Sequence, residues 1–377
     1  MIVSIKDALK FVGISIVACC GVFVCTLFLN YNIDLPKVKD AINTQAGIAM
    51  YEAHVSMGKA IVGISGGCLV VTAALMLLFY IKNYIDSHGR ELGILKALGY
   101  SDGKIALRFW VFGLCTFVGA AVGFAAAYAF MPRFYKVQNA DALFPPLSVG
   151  FHPWLLVLLV LLPSAAFAVL AVLYALFRLK TTALALMKGA DSLKVRRYEG
   201  KGERPFLSDL KRSVLKSKKA PVFFVAFSAF CFSAMTQMSI SMLDLASATM
   251  GAMILVIGLI LAYMTLFMSL TSAVKENAPY VALLGAFGYT EKERNSAVLG
   301  GYRFVSYIGF VFGTLYQYIL LKIMVVFVFS DIAGMPDYSF DFVALAISVA
   351  AFVLSYELVM LFYSRRISKL SLKQFFL

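Results

Sequence analysis

Cysteine and histidine, the residue types that most often carry out chemistry, are few in this chain and are spaced apart. The six cysteines all lie inside apolar runs, and none has a Cys-x-x-Cys or Cys/His partner at ligand spacing. They are Cys19, Cys20, Cys25, Cys68, Cys115 and Cys231. His54, His88 and His152 are isolated from one another, and we interpret them as ordinary polar loop residues. The sequence therefore predicts no catalytic residues, no disulfide and no metal site.

Charged and small residues are concentrated in the stretch HGRELGILKALG, residues 88–99, which lies between two long apolar runs. On a helical wheel its leucines and Ile94 form one broad arc, while Arg90 and Lys96 lie away from that arc. This pattern predicts a short amphipathic helix. A polar link containing one helical turn is the alternative.

The residues after this helix predict how it ends. Gly99 is expected to end it in the left-handed conformation, and Ser101 or Asp102 is expected to cap the next helix.

The same pattern returns at residues 279–291, where Leu-x-Ala-(Leu/Phe)-Gly-Tyr-(Ser/Thr)-(Asp/Glu) recurs between two apolar runs. Gly288 follows Gly99 at an offset of 189 residues, and Tyr318 matches Tyr128 at an offset of 190. A likeness that persists into the following apolar run indicates a duplicated chain.

Composition defines the class of protein. The chain has 377 residues, of which 61% are hydrophobic and 14% charged, and its mean hydropathy is +0.85. A soluble domain does not sustain this composition, so we expect an all-α polytopic membrane protein. The formal net charge is +14, but no basic-aromatic motif for nucleic acid is present, so no nucleic-acid partner is expected.

Hydropathy predicts eight transmembrane helices, four on each side of a basic central segment. The predicted spans are 9–29, 60–81, 105–131, 154–177, 222–242, 250–272, 297–328 and 342–363. The polar residues 30–59 are interpreted as a loop. Small residues at Gly63-x-x-x-Gly67 and Gly119-x-x-x-Gly123 would allow close helix crossings.

The central segment, residues 178–220, holds thirteen Lys or Arg and separates the halves. Leu207, Leu210 and Val214 share one face of its latter part, which predicts an interfacial helix on an anionic leaflet. A solvated linker is the alternative. The expected domains are a first repeat at 1–190, a basic cytoplasmic linker with the interfacial helix at 191–219, and a second repeat at 220–377.

Basic residues predict the orientation. With the amino terminus inside, 27 Lys and Arg lie on the cytoplasmic side and five outside, and two lie within the seventh span. The positive-inside rule therefore places both termini and both Gly-Tyr segments in the cytoplasm.

Both copies resemble the FtsX-like permease domain of ABC transporters. Sequences of that family carry Arg-Glu-(Ile/Leu)-Gly-(Ile/Leu)-Leu-(Arg/Lys)-Ala-(Leu/Ile)-Gly after the second membrane helix, and residues 90–99 match it at nearly every position. The resemblance implies two tandem four-helix repeats in a bacterial cell membrane and a partner ATPase, two copies per chain, that binds ATP and Mg. This chain has no Gly-x-x-x-x-Gly-Lys-(Ser/Thr) motif of its own and is expected to need no cofactor.

The resemblance also implies which residues couple the chain to the ATPase. In the first half they are Arg90, Glu91, Leu92, Leu95, Lys96, Leu98 and Gly99. In the second half they are Leu283, Leu284, Phe287 and Gly288. Because the second copy has Pro279 and Gly285 where the first has Arg90 and Lys96, the second half is expected to grip the ATPase less strongly.

Three functions are consistent with this sequence. The first is an ATP-driven exporter or extractor of a hydrophobic or amphipathic substrate, such as a peptide antibiotic or a lipid. Membrane lipid is also expected to be a partner of the chain. The second is a mechanotransmitter that relays ATPase movement to an extracellular partner; the short outer loops argue against it. The third is a secondary transporter, which would call for more ionisable groups at the midplane.

Two charged residues lie at similar depth within the last two spans, Arg303 in the seventh and Glu357 in the eighth. Lone charges inside a membrane are costly, so the two are predicted to pair. The pair would be either a structural clamp or a substrate or gating contact.

Overall fold

The computed structural model describes residues 12–41, 45–139, 147–188, 206–217, 219–245, 248–328 and 339–368. Every regular element within these ranges is helical, which confirms the predicted all-α class. The chain divides into two compact units, Met1–Val195 with Val325–Pro336, and Arg196–Met324 with Asp337–Leu377. Both termini and most of the predicted linker, residues 191–205, lie outside the described residues.

In the described part of the first unit there are nine α-helices, together with short 3-10 and π segments. They are α1 (Val12–Asp34), α2 (Gln45–Ile61), α3 (Gly67–Ser87), α4 (Gly89–Ala97), α5 (Asp102–Leu107), α6 (Val111–Gln138), α7 (Pro153–Leu156), α8 (Leu162–Leu179) and α9 (Ala183–Lys188). The second unit contains longer helices. They are α10 (Phe206–Ser217), α11 (Lys219–Leu245), α12 (Ala248–Ala286), α13 (Glu291–Val328) and α14 (Phe342–Ser368).

Among the described residues, seven helices are long and apolar enough to cross a membrane. An eighth span is supplied by the pair Val70–Asp86 and Gly89–Ala97 when that pair, bent by 67°, is counted as one. This agrees with a polytopic membrane protein of up to eight spans, and the bend falls at the start of the first conspicuous sequence motif.

The loop predicted at residues 30–59 is wrong, because the described part of this segment is helical. Helix α1 continues to Asp34, a 3-10 helix covers Leu35–Ala41, and α2 begins at Gln45. Two of the polar residues that suggested a loop, Asn30 and Asp34, are satisfied inside the unit, whereas the side-chain amide of Asn32 is buried and forms no hydrogen bond with the described residues. The Asn30 amide donates to the Tyr135 hydroxyl at 2.9 Å, and the buried Asp34 carboxylate accepts from the same hydroxyl at 2.8 Å. The helix therefore does not have to end at its first polar residue.

His152 belongs to the same polar cluster. Its Nε2 lies 3.0 Å from Asp34 Oδ1, and the backbone N–H of Gly150 donates to Asp34 Oδ2 at 2.9 Å. His152 lies in a loop as predicted, but it is not an ordinary polar residue, since it helps to satisfy a fully buried carboxylate. The prediction of His54 as a loop residue is wrong, because His54 lies inside α2.

One close helix crossing is found at matching positions in the two units. The backbone of α1 at Ser15 leaves no room for a Cβ at Gly119 of α6, and the backbone of α11 at Ala226 leaves none at Gly309 of α13. Gly119 and Gly309 differ by 190 residues, so the crossing is part of the duplication. In contrast, no described atom lies within 4 Å of a Cβ built at Gly63 or Gly67, so that motif is not a close crossing among the described residues.

Candidate functional site

The first motif forms a separate helix because the chain breaks at His88. This residue ends α3 and precedes α4 with φ −110° and ψ 22°, outside the helical region. Its ring stacks on Tyr84 with 4.2 Å between centroids, and its backbone N–H donates to the Tyr84 carbonyl at 3.0 Å. These contacts cap α3 and hold the bend before α4 begins.

Helix α4 packs against α9, and two of its glycines allow the close approach. A Cβ at Gly89 would lie 2.7 Å from the Leu186 carbonyl oxygen, and one at Gly93 would lie 2.9 Å from the Ala183 carbonyl oxygen. Leu92, on the same side, is 1% exposed. The inner face of the predicted amphipathic helix is therefore already occupied by another part of the chain.

Lys96 points inward as well. Its Nζ donates to the carbonyl oxygens of Leu179 and Thr181, each at 2.6 Å, and lies 2.9 Å from Asp102 Oδ1. The side chain is 18% exposed. The structure therefore places its ammonium between the end of α4, the end of α8 and the start of α5, where it ties three elements together.

The outward face of α4 carries the other predicted residues. Leu98 is 71% and Ile94 is 45% exposed, and Arg90 and Glu91 are exposed beside them. Leu95 is partly buried, between the two faces. An exposed apolar pair flanked by charges, outside the long apolar helices, is typical of a surface that another protein covers.

Both motifs end in the same turn, as their sequences predicted. Gly99 has φ 90° and Gly288 has φ 83°. In the first turn Tyr100 N–H donates to the Leu95 carbonyl, and in the second Tyr289 N–H donates to the Leu284 carbonyl. This is the Schellman arrangement, in which a glycine in the left-handed region satisfies the last carbonyls of a helix.

The helices that follow the two turns are capped differently. Ser101 Oγ accepts from the Lys104 N–H at 3.4 Å, which confirms Ser101 as the N-cap. Thr290 and Glu293 form a reciprocal capping box, with Glu293 Oε2 accepting from the Thr290 N–H at 2.9 Å.

The second motif is built on an unbroken helix. Helix α12 runs from Ala248 to Ala286, so the motif forms its last turns. Leu284 is 4% exposed and faces inward, whereas Leu283 is 46% and Phe287 is 72% exposed. Tyr280, which the sequence prediction did not include, is 53% exposed on the same side.

Arg294, also absent from the predicted site, lies against Gly285. A Cβ built at Gly285 would be 3.0 Å from Arg294 Nη1. Gly285 is the counterpart of Lys96, so a cation is present near this position in both halves, although it comes from the next helix in the second. In the sequence, the only sign of this difference was that Gly285 has no side chain where the first half has Lys96.

Arg303 and Glu357 are brought together. Arg303 Nη2 lies 2.5 Å from Glu357 Oε2, and the two side chains are 54% and 35% exposed. No group of three or more His, Cys, Asp or Glu residues in the described ranges has the arrangement of a metal site.

Comparison with known families identifies this architecture. The model of the FtsX-like permease C-terminal domain matches residues 63–184 and again residues 252–372, together more than half of the chain. The chain therefore belongs to the FtsX-like permease family, with two such domains in tandem. A search of curated proteins and a search of solved structures each returned no match.

Family membership defines the general role. The chain is an ABC-type permease subunit and a multi-pass protein of the cell membrane. Membership of this family implies that the chain is a non-catalytic membrane subunit. Permeases of this family are generally partnered with an ABC ATPase. The two matched ranges begin 189 residues apart, the same offset as that between Gly99 and Gly288.

Proposed function

We propose that a separate pair of cytoplasmic ATPase subunits drives this permease to export or extract a hydrophobic or amphipathic substrate, such as a peptide antibiotic or a lipid. The observation that carries the proposal is the repeated exposed surface. Ile94 and Leu98 in the first half and Leu283 and Phe287 in the second lie at one offset and have nearly equal exposures. Two equivalent surfaces in one chain fit two copies of one partner.

The supports behind these surfaces suggest how ATPase movement would reach the membrane helices. Movement of α4 would pass through Lys96 to the ends of α8 and α5, since Lys96 contacts Leu179 and Asp102. Movement of the second surface would pass directly along α12, whose 39 residues span about 58 Å at 1.5 Å per residue.

The substrate class rests on what lies outside the membrane helices. Between α1 and α3 the described residues form only a 3-10 helix, the short α2 and a π turn. A mechanotransmitter would need an extracellular docking surface, and this small segment favours a transported substrate that enters from the bilayer instead.

Copurification with the ATPase tests the docking surfaces. Leu98→Asp or Phe287→Asp would place a charge in the interface, so each should reduce ATPase capture and ATPase stimulation at least tenfold, about 1.4 kcal/mol. Leu98→Met and Phe287→Leu keep an apolar side chain and should retain binding. Unchanged capture by both aspartate variants, at matched membrane abundance, would remove the docking surfaces and the proposal with them.

Transport itself is tested with the purified permease and ATPase in vesicles. An amphipathic peptide or lipid substrate should stimulate ATP hydrolysis and cross or leave the bilayer without any further protein. If hydrolysis is coupled only when an extracellular protein is added, and no substrate moves, the mechanotransmitter is the correct function.

Orientation is tested by labelling with an impermeant thiol reagent in intact cells. A cysteine at Lys39, which is exposed after α1, should react, and one at Glu91, which is exposed on α4, should not. The reverse pattern would place the coupling surfaces outside the cell.

A further inference from the structure

A cavity of about 300 Å³ opens in the second unit, at the end of the bundle that carries the Gly288 turn. Its walls come from α10, the first turns of α13 and the last turns of α14. The polar lining residues are Lys211, Lys292, Asn295, Ser296, Arg303, Glu357 and Ser364. This volume is at the lower end of the range for small-ligand sites.

The cavity carries an excess of positive charge. Glu357 is paired with Arg303 at 2.5 Å, so these two charges offset each other. Lys211 and Lys292 form no ion pair with any residue in the described ranges. Two lysines that no carboxylate of the described residues pairs with favour an anionic ligand, and they do so more strongly in a partly enclosed cavity than in open water.

Gly300 of α13 leaves the space in which the Lys211 side chain lies. A Cβ at Gly300 would lie 2.7 Å from both Cε and Nζ of Lys211, so the lysine lies flat against the helix where Gly300 has no side chain. On the next residue, a Cβ at Gly301 would lie 2.6 Å from Leu215 Cδ1. The amphipathic helix α10 is therefore seated on two glycines, and its ammonium is directed along the cavity wall.

Asn295 provides a different polar group. Its Nδ2 donates to Ser364 Oγ, whereas its Oδ1 is buried and accepts no hydrogen bond from the described residues. A buried acceptor without a donor is costly. Because this oxygen has almost no accessible surface, it belongs to the wall behind the cavity and not to the surface that a ligand would contact.

Exposed apolar side chains accompany the cavity. Leu361 lines it and is 57% exposed, and Phe304, the next residue in the chain after the lining residue Arg303, is 70% exposed. A charged cavity that opens onto exposed apolar side chains of membrane helices matches an amphipathic ligand with its charged end inside and its apolar part along the helices.

We propose that this cavity binds the headgroup of an anionic phospholipid. Lys211 and Lys292 contact the phosphate, and the acyl chains lie along Leu361 and Phe304. Inorganic phosphate shares the phosphate chemistry, but it would leave the exposed apolar side chains without a partner. The site is independent of ATPase coupling, so it can be tested on the permease alone.

The test is native mass spectrometry of the purified chain from nanodiscs containing phosphatidylglycerol and phosphatidylcholine. The wild-type chain should retain phosphatidylglycerol preferentially, and Lys211→Gln and Lys292→Gln should each lower that retention about tenfold. Arg212→Gln is the matched control, because Arg212 is exposed on the same helix and does not line the cavity. Glu357→Gln, which removes the one carboxylate, should raise retention, a direction that a folding defect does not produce.

Three results would overturn the site. Equal retention of the two lipids by the wild-type chain would show that the cavity does not select a negative charge. Equal loss in Lys211→Gln and Arg212→Gln would show a general effect of surface charge. Millimolar inorganic phosphate that displaces phosphatidylglycerol and is itself retained would identify a free-phosphate site in place of a lipid site.

Discussion

The first coupling segment is a separate helix bent by 67° from its membrane span, whereas the second is the end of the unbroken helix α12. Behind the first lie α9 and the Lys96 contacts, and against the second lies the Arg294 side chain. The outward surfaces nevertheless agree, with Leu98 at 71% and Phe287 at 72% exposure. The two copies therefore differ in how the surface is supported and agree in the surface itself.

This difference changes the meaning of the sequence departures between the halves. Gly285 in place of Lys96 suggested that the second half grips its partner less strongly. In the structure the Lys96 ammonium contacts Leu179, Thr181 and Asp102 within the chain, so its replacement alters the support and not the exposed surface. Arg90 is exposed in the first half, and Pro279 takes its place in the second. Any weaker binding of the ATPase by the second half would therefore have to come from that position.

The largest effect is expected at the helix crossings, where the two halves should behave alike. Gly119→Val and Gly309→Val each place a side chain against the backbone of a neighbouring helix, so each should destabilise its unit by about 3 kcal/mol. The measurement is membrane abundance together with the thermal unfolding midpoint in detergent.

Gly63→Val is the matched control for these variants, because no described atom lies within 4 Å of a Cβ at that position. It should leave both measurements nearly unchanged. A well-tolerated Gly309→Val would mean that the second half does not use the duplicated crossing for stability.

A smaller and asymmetric effect is expected from the cations behind the two surfaces. Lys96→Met removes charge-assisted hydrogen bonds to two carbonyl oxygens, so it should free α4 from α8 at a cost of about 2 kcal/mol. Arg294→Met should do much less, since the end of α12 is held by the continuous helix. Amide hydrogen exchange of residues 89–97 and 278–286 measures both.

Equal acceleration of exchange in the two segments would contradict the proposed difference in support. ATPase stimulation should follow the same order, with Lys96→Met the weaker coupler at matched abundance.

The smallest effect is expected at the two turns. Gly99→Ala and Gly288→Ala would force alanine into φ values of 90° and 83°, which costs about 1 kcal/mol in each half. Because a Cβ at either glycine meets no described atom within 4 Å, the cost comes from the backbone alone. The two variants should therefore lower the unfolding midpoint equally and additively, and a marked inequality would show that the turns are not equivalent.

The sequence by itself determined the features that depend on local rules. Apolar runs predicted the membrane helices, the constant offset predicted the duplication, and the Gly-Tyr pattern predicted the left-handed turns at Gly99 and Gly288. The amphipathic spacing of Leu207 to Val214 predicted a helix, which the structure places at Phe206–Ser217. The duplication required two segments to be compared, but each of the other features depends on residues within a few turns of one another, so one segment is enough to reveal it.

Tertiary structure alone decided which side of each element is covered. Leu92 and Leu98 belong to one apolar arc on the helical wheel, but α9, about 90 residues later in the chain, covers the first and leaves the second exposed. The same holds for Lys96, whose partners Leu179 and Thr181 lie at the end of another membrane helix. It also holds for Asn30, which was expected to begin a loop but lies in a helix, where its amide donates to the Tyr135 hydroxyl. Spacing along a helix defines its faces, but only packing between distant segments determines which face is buried, because burial depends on the atoms brought against it.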